Sequence, residues 1–158
     1  MRKIRLNKFQ IFCGIMTIAV MVCIFLFSCE NADDSSDTSG NFVNLIISIF
    51  YGDYDELPLW EQEEIRGNIS HFIRKTAHFT IFAALGFFAF LTSGQKKLLC
   101  KGTAAVLIFC GLYAVSDELH QYFVPGRACM LRDMLLDTCG SLAGIAAALA
   151  AVKIFSRK

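Results

Sequence analysis

Charged residues divide this chain into apolar blocks. Residues 9–29 make a run of 21 without a charge and residues 76–95 a run of 20, while 102–116 and 138–152 give 15 each. A hydrocarbon core of ~30 Å takes about 20 helical residues. The first two runs therefore suffice to cross it, and the last two reach ~22 Å at ~1.5 Å per residue. The pattern predicts an all-α membrane protein with four transmembrane helices. Lys101 and Lys153 lengthen the short runs at one end by reaching to the surface with long side chains. Asp117 and Asp137 close the other end with short ones, so both acids are expected below the headgroups.

Between the first two runs the pattern changes. Residues 30–40 are rich in Asp, Ser and Asn and read as a solvated acidic linker. Residues 42–51 are apolar but too few to cross, which predicts a short interfacial helix with Tyr51, Tyr54 and Trp60 at headgroup depth. Pro58 suits the start of a helix running through 61–64 into Arg74. Three segments result: an N-terminal transmembrane helix (1–29), a linker with its interfacial segment (30–73), and a domain of three transmembrane helices (74–158). Asn68-Ile69-Ser70 matches a glycosylation acceptor, a motif common by chance.

Lys and Arg then orient the spans. With four crossings, ten of the 15 fall on one side: Arg2, Lys3, Arg5, Lys8, Lys96, Lys97, Lys101, Lys153, Arg157 and Lys158. That side is read as the cytoplasm, with both termini in it. Arg66, Arg74, Lys75, Arg127 and Arg132 take the other side, together with all 14 acids. The expected location is a cell membrane, with 30–73 and the polar helix ends extracytoplasmic.

Composition agrees. Hydrophobic residues make up 55% and charged ones 18%, against about a quarter charged in soluble domains, which excludes a disordered chain and a coiled coil. A net charge of +1 provides no field to steer nucleic acid, so none is expected as a partner. The seven Cys lack the paired spacing of a disulfide scaffold, and Cys129 and Cys139 lack metal-finger spacing. Leu26-Phe27-Ser28-Cys29 faintly resembles a lipoprotein processing site. The bulk of Phe27 and the length of the apolar run favour an uncleaved helix over lipidation at Cys29.

The chemistry gathers at one end of the expected bundle. Arg74, Lys75 and His78 open the second membrane helix; Asp117, Glu118, His120 and Gln121 close the third. Arg127 and Arg132 lie in the connection, and Asp133 and Asp137 open the fourth helix. Arg74, His78, Phe82 and Gly86 follow at i+4 steps, and Asp133, Asp137, Gly140 and Gly144 share a stripe. Gly140 and Gly144 would let a neighbouring helix approach closely beneath Asp137. Pro125-Gly126 turns the chain into a tight hairpin.

Two strings, Arg74-Lys75-Thr76-Ala77-His78-Phe79 and Ser116-Asp117-Glu118-Leu119-His120-Gln121, resemble the VanZ-like family. So does Phe123-Val124-Pro125-Gly126-Arg127, with Asp133, Asp137, Gly140 and Gly144 following. The resemblance covers 74–144, about half the chain. It implies a bacterial membrane protein of a family whose namesake is associated with teicoplanin resistance. It implies a site more than a particular reaction.

Three readings of the site stay open. Arg74, Lys75, Arg127 and Arg132 suit a phosphate clamp, because guanidinium groups bind such anions bidentately. With His78 or His120 shuttling a proton and Asp117 or Glu118 assisting, the clamp becomes an enzyme acting on a polyprenyl-phosphate type of substrate. Binding without turnover would hold a lipid-linked cell-wall intermediate or alter sensitivity to a lipoglycopeptide. A purely structural reading has the cations and acids neutralise one another and set helix register. The expected partners are membrane lipids and such a ligand. No cofactor is expected, and no metal, because Arg74, Arg127 and Arg132 would repel a cation. Oligomeric state stays open.

The orientation is testable by labelling. In a background whose own cysteines are replaced, Ser36→Cys should react with a membrane-impermeant maleimide in intact cells. Labelling only after permeabilisation would reverse the topology.

Overall fold

A helix needs an opening that satisfies its first N–H groups, and the first membrane run has one. Asn7 Oδ1 accepts from the Gln10 N–H at 2.8 Å while Gln10 Oε1 accepts from the Asn7 N–H at 3.0 Å, which caps α1, Lys8–Ser28. Its 21 residues extend ~31 Å. The structure is a computed structural model that describes residues 7–30 and 32–155, with side chains described outside 31–39. Arg2, Lys3, Arg5, Arg157 and Lys158, part of the basic count above, lie outside the described residues.

The remaining helices are α2 (Ala32–Phe50), α3 (Leu59–Ser93), α4 (Lys101–Gln121) and α5 (Leu131–Phe155), with one 3₁₀ turn at Tyr54–Glu56. Among the described residues there is no strand. Four helices, α1, α3, α4 and α5, are long and apolar enough to cross a membrane. Their outer faces carry exposed Ile15, Ile18, Leu112 and Leu135, a coat that suits lipid and not water.

Three expectations are corrected. Residues 32–40 are helical, not an irregular linker. Val43 and Ile47, one turn apart and buried, dock α2 on α3, and Arg66 Nη2 donates to Asn44 Oδ1 at 2.9 Å. With the nucleation cost met by this docked half, helix propagates backwards cheaply. Next, the boundary drawn between residues 73 and 74 falls inside a helix, the one expected to start at Pro58 and run into Arg74. Pro58 caps α3, which runs 35 residues, so Arg74, Lys75 and His78 sit near its middle, with Asn68-Ile69-Ser70 in its interior. Nothing before Gly94 breaks it; there φ is 66°, a left-handed turn glycine takes without strain. Finally, α4 and α5 are 21 and 25 residues long, not 15. Their acids end the hydropathic run but not the helix, because they turn into the bundle, with Asp117 and Asp137 buried.

α3 touches every other helix. With α1 and α4 it forms a core of Ile24, Phe82, Leu85, Ala89, Cys110 and Ala114. With α5 it packs Phe90 against Ile145, Ala148 and Leu149. Tyr113 on α4 donates to the Met21 carbonyl of α1 at 2.7 Å.

The α3–α5 contact is backbone against backbone. A Cβ added to Gly144 would strike the Ala83 carbonyl, one on Gly140 the Phe79 carbonyl, and one on Gly86 the Ser141 carbonyl. The two helices run parallel, since 79 faces 140 and 83 faces 144. Small residues at four-residue spacing permit this approach, and Ser141 Oγ donates across it to the Phe82 carbonyl at 3.2 Å.

Alanine at two glycines should therefore act in opposite directions. Gly144→Ala should destabilise by about 1–3 kcal/mol through overpacking. Gly67→Ala, where an added Cβ meets nothing within 4 Å, should stabilise by ~0.5–1 kcal/mol through helix propensity. Melting curves in detergent check both signs.

Candidate functional site

On a helix, positions i, i+3, i+4 and i+7 share a face. His71, Arg74, Lys75 and His78 of α3 do so. The parallel α5 brings Asp133 and Asp137 opposite them, and α4 contributes Glu118 and Gln121. Gly126, with φ at 76°, turns the α4–α5 connection so that Arg127, Ala128 and Met130 complete the wall. Together they enclose a polar cavity of about 190 Å³.

Its ionic contacts cross between helices. Lys75 Nζ forms an ion pair with Asp133 Oδ2. His78 Nδ1 lies 3.9 Å from Asp137 Oδ2. Glu118, 2% exposed, accepts the Met130 N–H at 3.1 Å and so ties α4 to the start of α5. Asp117 accepts from Gln121 Nε2 at 2.8 Å. Two buried atoms, Asp137 Oδ2 and Arg127 Nε, have no hydrogen-bond partner among the described residues. Burial pulls the Arg127 guanidinium below its ordinary pKa, and neighbouring Arg74 acts the same way, while Asp117, Glu30 and Glu118 oppose them. A guanidinium stays protonated regardless, so the cavity wall holds a half-buried cation with an unused donor.

A second cavity, about 320 Å³, adjoins the first between α1, α2 and α3. Ile24, Phe27, Phe42, Ile73, Ala77 and Ile81 make most of its lining apolar, with Glu30 on its edge. Arg74, His78 and Arg127 line both cavities. Arg127 Nη2 donates to the Phe27 carbonyl at 3.3 Å, which anchors the shared wall to the end of α1.

Of the residues singled out from the sequence, Arg74, Lys75, His78, Glu118, Gln121, Arg127, Asp133 and Asp137 line the polar cavity. Asp117 lies beside it, one ligand atom within 4.8 Å of His78 and Asp137. His120 is not brought in. Its Nε2 is 3.4 Å from Cys29 Sγ, and its ring lies 4.8 Å from that of Phe25, against α1. Arg132 is exposed and outside both linings. His71 was missed, although its spacing of three before Arg74 and seven before His78 marks that face. The α1 contribution, Phe27 and Ser28, carried no local signal; Gln121 Nε2 reaches Ser28 Oγ at 3.3 Å across 93 residues of sequence.

A family model described as VanZ/LLP1 matches residues 13–154. The match takes in α1 and α2, well beyond the 74–144 stretch whose motifs carry the resemblance. No curated protein and no solved structure matches the chain.

The Lys75–Asp133 pair yields a test of its structural share. Lys75→Met strands a carboxylate that is only 10% exposed, and should cost about 3 kcal/mol. Adding Asp133→Leu should recover most of that. Detergent melting curves of the parent, single and double variants measure the recovery.

Proposed function

The chain belongs to the VanZ/LLP1 family, and on that premise we propose that it is a multi-pass protein of the bacterial cytoplasmic membrane that binds a phosphate-bearing amphiphile. One observation carries this reading: a charged cavity and an apolar one lie side by side and share Arg74, His78 and Arg127. An amphiphile has the same two parts. Its phosphate or pyrophosphate would take the guanidinium groups of Arg74 and Arg127, with the free Arg127 Nε as a further donor. Its chain would lie among Phe27, Phe42, Ile73 and Ile81. A polyprenyl-linked cell-wall intermediate fits that description.

The ten-to-five division of Lys and Arg supports an extracytoplasmic position for this end of the bundle. There the protein would hold a lipid-linked intermediate where a lipoglycopeptide acts, and so alter teicoplanin-type sensitivity. We favour binding over turnover because the two adjoining cavities match both parts of an amphiphile, whereas the lining singles out no one nucleophile among its His, Lys and carboxylate side chains.

Purified protein in neutral detergent should bind a polyprenyl phosphate and discriminate against the matching polyprenol. Arg127→Ala and Arg127→Lys should each weaken the phosphate form by about ten- to a hundredfold, the worth of one charge-assisted hydrogen bond at ~1.5–3 kcal/mol. Ala77→Trp should fill the apolar cavity, weakening the polyprenyl phosphate while sparing inorganic phosphate. Equal affinity of the parent for polyprenol and polyprenyl phosphate would overturn the reading.

A further inference from the structure

Three helices deliver one nitrogen and two carboxylates to a single point beside the polar cavity. His78 of α3, Asp117 of α4 and Asp137 of α5 each present a ligand atom, all within 4.8 Å of one another. His78 Nδ1 and Asp137 Oδ2 stand 3.9 Å apart, beyond hydrogen-bonding reach. Two ligands each ~2.1 Å from one ion are themselves about 3–4 Å apart. The donors are thus spaced to face a common centre, and an inward shift of ~1 Å closes the widest pair.

A second, independent observation is Asp137 itself. It is 1% exposed, and its Oδ2 has no hydrogen-bond partner among the described residues. A buried carboxylate left so is neutralised either by a proton or by a cation. Asp117 is already held as metal-ligating carboxylates are: Gln121 Nε2 donates to it at 2.8 Å, and Ser28 Oγ steadies Gln121 from α1.

The repulsion expected from the neighbouring cations is largely answered by the fold. Arg132 is exposed away from the site, and Lys75 is paired with Asp133. The four acids Asp117, Glu118, Asp133 and Asp137 outnumber the three cations Arg74, Lys75 and Arg127.

We propose that His78, Asp117 and Asp137 bind a divalent transition-metal ion of the manganese or zinc class, with its remaining coordination positions open to the cavity. One imidazole nitrogen with two carboxylate oxygens is a donor set these ions accept, and three protein ligands leave room for water or an anion. The proposal stands apart from the lipid reading.

The test uses the full chain in neutral detergent, in phosphate-free buffer, with Mn²⁺ alone as probe. Electron paramagnetic resonance should show one Mn²⁺ per chain, displaced by Zn²⁺. Spin-echo modulation should show one coordinating nitrogen, lost in His78→Gln. Asp137→Asn and His78→Gln should each weaken Mn²⁺ binding by about tenfold or more. Arg127→Ala should bind Mn²⁺ at least as tightly as the parent while losing polyprenyl phosphate, so the two proposals fail separately. Substoichiometric Mn²⁺ in the parent, bound Mn²⁺ without nitrogen coupling, or undiminished binding in Asp137→Asn and His78→Gln would overturn the metal site.

Discussion

The backbone contact between α3 and α5 is the constraint on which the rest depends. Gly140 and Gly144 lie against the carbonyls of Phe79 and Ala83, and Gly86 against that of Ser141. Helices this close leave little room for adjustment of register. One turn away, the same parallel alignment puts Lys75 on Asp133 and His78 beside Asp137. An apolar interface of larger side chains would hold the helices further apart, and the side chains of α3 would no longer meet those of α5. Packing and chemistry are thus consecutive parts of one interface.

Two further elements complete the polar end. The Pro125-Gly126 turn carries Arg127 back toward α1 instead of out to solvent, where its Nη2 finds the Phe27 carbonyl. The end of α1 supplies Ser28 to Gln121, and Gln121 in turn fixes Asp117. A helix without a charged residue in its apolar run is therefore part of the site's wall, in keeping with a family match that reaches back to residue 13. α2 adds Phe42 to the apolar cavity next door.

Buried charge is costly in such a setting, and most of it here is compensated. Asp133 has Lys75, Glu118 has the Met130 N–H, and Asp117 has Gln121. Asp137 Oδ2 and Arg127 Nε are left without hydrogen bonds among the described residues. A network serving only to fix register would gain from satisfying them, since unpaired buried polar groups destabilise by about 1–3 kcal/mol each. The ligands proposed above would give that acceptor and that donor their partners.

The sequence by itself determined the class of the molecule and the membership of most of its polar cluster. Runs of apolar residues bounded by charges identify membrane helices because hydrocarbon excludes unpaired charge, and that rule is local. Gly140 and Gly144 were legible for a similar reason, since four-residue spacing places small residues on one helix face. Local rules failed where an acid's direction mattered. Asp117 and Asp137 end a hydropathic run whether they face lipid or a partner, so the lengths of α4 and α5 could not be read from hydropathy. The start of α3 after Pro58 was legible, because proline suits the first turn of a helix. Only the tertiary structure decided that His120 turns to Cys29, that Arg132 stays outside, that α1 closes the site, and that an apolar cavity adjoins the polar one. Those outcomes depend on contacts across as many as 100 residues, where packing geometry and not sequence spacing selects which side chains meet.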